Sequence, residues 1–133
     1  MDQELKTYIT VHLGYLDRLK SGLNPSEADN LAGCFLMAVA KLCEYRLEIV
    51  SLKYTQASSL YSITKNKVWD ETDAKTAKDK EVKTEANPEL IAAREAEEIA
   101  EHNLRYINSL IEVFNNAHVQ FRQVSNNLSK NGY

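Results

Sequence analysis

The stretch LAGCFLMAVAKLCEYRLEIVSL, residues 31–52, decides the fold class. Its apolar residues recur in steps of four and three, through Leu31, Phe35, Ala38, Leu42, Tyr45, Ile49 and Leu52. That is the spacing of a coiled-coil seam on an α-helix. A second stripe runs beside it through Leu36, Val39, Cys43, Val50, Tyr54 and Tyr61. Two stripes make the helix apolar on more than one face, so it is expected to touch more than one neighbour. The seam keeps its phase through Gln56 and Ser59, both polar, to Ile63. Gly33 lies inside the run, where it costs about 1 kcal/mol against Ala. A close helix crossing through Ala32-Gly33 is the expected compensation.

Outward from this stretch, start signals bound the helix. Asn24 as N-cap, Pro25 at the first helical position and Glu27 at the capping-box position open it, and the pattern holds over 25–65. Upstream, Leu5, Ile9, Leu13, Leu16 and Leu19 predict a first helix over 3–20, stopping at Ser21-Gly22. Downstream, residues 66–87 carry five Lys and six acids, with Val68, Trp69 and Val82 as the large apolar residues, and read as a solvated loop. Asn87-Pro88-Glu89 repeats the start signal. A last helix over 88–128 holds the four-three spacing through Ala96, Ala100, Asn103, Ile107, Leu110, Phe114, Ala117, Phe121, Val124 and Leu128.

The expected fold is all-α and a single domain over 1–133: a short N-terminal helix plus a long antiparallel two-helix hairpin, coiled-coil-like. Leu31, Phe35, Leu42 and Ile49 pack on one strand of its seam, and Ile107, Leu110, Phe114 and Phe121 on the other. Two long helices and one short one enclose little core, so completion by homo-oligomerisation is expected. Four Gly and two Pro among 133 residues speak against a loop-rich or all-β fold.

A net charge of −3 gives no general pull on nucleic acid, leaving only a local basic stripe to provide one. The opening residues MDQELKTYIT carry acids where an export signal needs Lys or Arg. LAGCFLMAVA is about half the apolar length a bilayer span requires, so no membrane contact is expected. Cys34 and Cys43, nine residues apart on one helix, fall on roughly opposite faces about 13 Å apart. They read as two reduced, buried thiols of a cytoplasmic protein.

The carboxylates Glu95, Glu97, Glu98 and Glu101 are the part of the chain that most resembles a chemical site. Arg94 with Glu98 and Glu101 with Arg105 make i,i+4 pairs, and acids in the opening turns suit the helix dipole. Glu98 and His102 share a face, but no second Glu–His pair completes a metal set. A solvated helix start is the reading, with no metal, cofactor or small-molecule substrate. Phosphate loops, zinc spacings and Ser-His-Asp order are absent from the sequence, and the protein reads as no enzyme. His12 and His118 read as packed or rim histidines. Gln56 and Asn103 occupy seam positions where isolated polar residues set register or oligomer state.

One constellation mixes cations with rings: Arg46, Lys53, Tyr54, Tyr61, Lys65, Lys67 and Trp69. Single-stranded nucleic acid is bound by that combination, cations on phosphates and rings under bases. The competing reading packs the tyrosines against neighbouring helices, with the cations lining the edge. Trp69, in a charged stretch with nothing local to pack on, either docks back onto the bundle or meets a partner.

The segment EVKTEA (Glu81 to Ala86) entering an Ala- and aromatic-spaced helix resembles the UvsY-like recombination mediators among small bacteriophage proteins. The likeness spans roughly residues 30–128. It implies a non-enzymatic helical oligomer that binds single-stranded DNA and helps load a strand-exchange recombinase. It assigns no individual binding residue. A protein-binding inhibitor of a host defence factor and a virion or scaffold assembly protein are the alternative functions.

Overall fold

A computed structural model describes residues 1–131. Among the described residues every regular element is helical: α1 (Gln3–Tyr15), a 3₁₀ turn (Leu16–Lys20), α2 (Pro25–Tyr45), a π-helical segment (Arg46–Val50), α3 (Ser51–Glu71), α4 (Ala77–Glu85) and α5 (Pro88–Lys130). The all-α expectation is met. The chain divides into two compact units. One is Met1–Glu44 together with the chain from Asn108 on; the other is Tyr45–Ile107.

In the first unit, the N-cap expected at Asn24 forms, while Glu27 takes the Asn24 side-chain amide in place of the backbone N–H of a capping box. Asn24 Oδ1 accepts from the Glu27 backbone N–H at 2.8 Å, and Asn24 Nδ2 donates to Glu27 Oε1 at 2.6 Å. Asp2 caps α1 by accepting from Leu5 N at 2.8 Å. The contacts run Pro25 to Ser125, Ala32 to His118, and Phe35 to Phe114 and Phe121, so α2 and this part of α5 are antiparallel. Phe35, Phe114 and Phe121 are fully buried, each burial contributing roughly 2–3 kcal/mol. Phe35 lies 5.4 Å from Phe114, and 5.6 Å from Phe121 in a stacked pair. α1 closes this core with Leu5, Ile9 and His12. The His12 ring stands 5.8 Å from Phe35 and 5.9 Å from Phe114, and its Nδ1 donates to the Tyr8 carbonyl at 2.8 Å. It is a packed histidine.

The close approach expected at Ala32-Gly33 is made by Ala32 alone. Its carbonyl accepts from His118 Nδ1 at 2.9 Å, while a Cβ on Gly33 would meet nothing within 4 Å. Leu31 is half-buried, not central. Cys34 and Cys43 are half-buried thiols, not the fully buried ones expected.

The second unit departs from the expected seam. Buried positions along α2 are Ala28, Ala32, Phe35, Ala38 and Leu42, but the next is Val50, eight residues on. From there the inward positions are Val50, Tyr54, Ala57, Tyr61, Thr64 and Val68, buried or half-buried in steps of four and three. Ile49, placed on the seam by the sequence, is 38% exposed, and Leu52 and Ile63 are more exposed still. The cause is the π-helical segment, where Ser51 N donates to Arg46 O, five residues back. A π turn inserts one residue into the α-helical period and advances the inward phase by one. The straight phase would have buried the Gln56 amide and Ser59 hydroxyl, each at a cost of about 1–3 kcal/mol without a partner. Both are exposed. Asn103, also expected on the seam, is exposed as well, with Leu104 half-buried beside it.

Residues 66–87 are not the long loop the sequence suggested. α3 runs on to Glu71, burying Val68, and α4 fills Ala77–Glu85. Thr76 caps α4 by accepting from Asp79 N at 3.0 Å, and Asp79 pairs with Lys83 one turn on, at 3.3 Å. No Gly or Pro interrupts 77–85. Strong helix formers with a good cap suffice once tertiary contacts hold the segment. Asn87 caps α5 as expected, accepting from Glu89 N at 2.9 Å.

Candidate nucleic-acid interface

All seven cation and aromatic candidates lie in the second unit, but not on one face. On a helix turning about 100° per residue, Lys65 and Trp69 fall on one flank of the inward seam, Lys53 and Lys67 on the other. Tyr54 and Tyr61 lie on the seam itself and are half-buried. The π insertion put them there. Arg46 lies within the π-helical segment, half-buried and engaged with its surroundings.

Several of these groups have partners within the chain. Lys67 Nζ meets Glu89 Oε1 at 3.2 Å. The hydrogen bond Lys67 donates to Glu89, then the charges of Glu89 and Glu71, hold the Lys67 ammonium above the ordinary lysine pKa. The Tyr61 ring carries the Arg94 guanidinium 5.9 Å from its centroid, and Arg94 also bridges to Glu85. Those contacts, Tyr61 first and then Glu85, raise the Arg94 pKa. The sequence paired Arg94 with Glu98; the structure gives it to α4 instead. Glu101 pairs with Arg105 at 2.6 Å as expected.

What comes together is the flank that α4 covers. Lys65, Trp69, Glu81, Thr84 and Glu85 line a cleft of about 280 Å³. Trp69 is 39% exposed, with Lys80 Nζ 4.9 Å from its ring centroid. Thr84 is buried, and its Oγ1 has no hydrogen-bond partner. Lys80 and Arg94 join the site without a signal in the sequence, because 66–87 reads as loop and contacts across three helices leave no local pattern. A ring beside ammonium groups suits a stacked base with a nearby phosphate. Glu81 and Glu85 work against dense negative charge in the same cleft.

No protein-family model, curated protein or solved structure matches the chain. Among the described residues, no group of three or more His, Cys, Asp and Glu side chains is placed to hold a metal ion. No described helix is long and apolar enough to cross a membrane.

Proposed function

We infer that the protein is a non-enzymatic helical accessory factor of the recombination-mediator kind, working as an oligomer that binds single-stranded DNA, a recombinase, or both. In this reading the α2–α3 path and α5 form one long antiparallel hairpin, closed by self-association. The observation that supports DNA contact is the half-exposed Trp69 flanked by Lys65 and Lys80. Trp69 and Lys65 are the residues expected to meet a base and a phosphate. Lys67, Tyr54, Tyr61 and Arg46 contribute through the fold that holds them.

The test uses Trp69 as a built-in probe, since it is the single tryptophan. Adding an unstructured oligonucleotide at low salt shifts its fluorescence, and the affinity falls as salt rises because counterions are released. Lys65→Gln weakens the response severalfold. An unchanged emission at low salt, together with no change in oligonucleotide anisotropy, removes the DNA half of the reading. A second reading, protein binding without nucleic acid, is favoured by the exposed apolar side chains Leu52, Ile63 and Ile99. A host or virion partner co-purifying after nuclease treatment would select it.

A further inference from the structure

The residues that leave the core at the π-helical segment do not join a polar surface. Ile49, Leu52, Leu60 and Ile63 are 38, 53, 54 and 65% exposed, and lie roughly 80–160° round the helix from the inward seam. On α5, Ile99 and Tyr106 are 64 and 43% exposed, offset from their own seam by about 110–130° in the same rotational sense. In the second unit Tyr61 faces Arg94 and Lys67 faces Glu89, so α3 and this part of α5 are antiparallel. Offsets of one hand on two antiparallel helices fall on one face of the pair. The Lys67–Glu89 bridge spans that same flank. α4 occupies the opposite one, through Trp69, Lys80 and the Glu85–Arg94 contact.

We propose that this open face docks a second copy of this chain. Its six large side chains present on the order of 600 Å² at about 200 Å² for a fully exposed residue. With its rim, that approaches the roughly 800 Å² per partner of a standard specific interface. The face also complements itself. Lys53 lies on its α3 side and Glu95 at its α5 edge, and neither is ion-paired within the chain among the described residues. Crossing α3 of one copy over α5 of the other satisfies that pair twice, as a two-fold interface requires. Gln56 and Asn103 lie on this face too, and an amide on each helix can donate and accept across the interface to set its register. They act at a second seam, between chains.

The inference rests on the oligomeric half of the proposed function and is tested without DNA. Sedimentation equilibrium of the full chain at micromolar concentration gives a mass at least twice 15.1 kDa. Ile99→Glu and Ile63→Glu, at positions exposed in the single chain, keep the far-UV circular dichroism and weaken association at least tenfold. Met37→Glu, 71% exposed in the other unit, leaves the mass unchanged. Lys53→Glu weakens association, and adding Glu95→Lys restores it. A wild-type mass of 15.1 kDa up to about 100 μM, full association in Ile99→Glu, or monomers that instead bind a different protein through this face would overturn the proposal. A persisting oligonucleotide response in any of those cases leaves the DNA reading standing.

Discussion

Phe35→Ala tests the core of the first unit most severely. The ring is fully buried and has Phe114, Phe121 and His12 at centroid distances of 5.4, 5.6 and 5.8 Å. Truncating a buried Phe to Ala typically costs 3–5 kcal/mol, as lost transfer energy plus the cavity left behind. Ring pairs at such separations add about 0.5–1.5 kcal/mol each beyond area. They share one removed ring and do not sum freely. The three contacts, His12 from α1 with Phe114 and Phe121 from α5, place the expected loss at about 4–5 kcal/mol. A domain of this size has about 5–15 kcal/mol in all. The assay is urea unfolding followed at 222 nm, with protein concentration held constant because association raises apparent stability. Phe35→Leu, which keeps most of the volume, loses about 1–1.5 kcal/mol. Near-UV circular dichroism reports the ring cluster directly and weakens in both variants. A Phe35→Ala loss below about 1.5 kcal/mol would mean that the site collapses readily and is not a packed centre.

Two further outcomes are expected. Burial, and secondarily the neighbouring Cys34, raise the Tyr8 pKa above the ordinary tyrosine value of 10.0. The raised folded pKa favours the neutral phenol, so its stabilising contribution is whole below pH 10 and is lost as pH climbs through the higher folded value. A 295 nm titration of the folded protein shows a late tyrosine that Tyr8→Phe removes; a titration unchanged by that variant contradicts the assignment. Thr84→Val exchanges an unpartnered buried hydroxyl for a methyl group and raises stability by about 1 kcal/mol. A loss above about 0.5 kcal/mol would show that the hydroxyl is satisfied in solution.

The sequence was most legible where one physical signal stood alone. Asn24 and Asn87 cap their helices as their Asn-Pro-x-Glu and Asn-Pro-Glu contexts require, and α5 ends within a few residues of its expected boundary. Ile107, Leu110, Phe114 and Phe121 are all buried as placed, as are Phe35 and Leu42. After Leu42 the apolar pattern is degenerate, because Ile49, Leu52 and Ile63 fit one phase while Val50, Tyr54 and Tyr61 fit the next. Periodicity cannot choose between them; the polarity of Gln56 and Ser59 in the first phase was the available hint. α4 was missed for a different reason. It has almost no apolar face, and propensity, a cap and ties to Trp69 and Arg94 hold it. For the candidate interface, composition identified the right residue types but not their employment. Lys67 is tied to Glu89 and Tyr61 to Arg94, partners 22 and 33 positions away along the chain.

The change of phase at the π-helical segment is open to direct measurement through the paired urea midpoints of Val68→Ala and Ile63→Ala at about 1 μM in the Ile99→Glu background. Val68 is 2% exposed and Ile63 65%. Val68→Ala is expected to lose about 2 kcal/mol, from two methyl groups and the cavity they leave. Ile63→Ala is expected to stay within about 0.5 kcal/mol of its parent, as exposed substitutions do. A larger loss at Ile63 than at Val68 would mean that the straight heptad is the true core, and the open face with its second copy would fall with it.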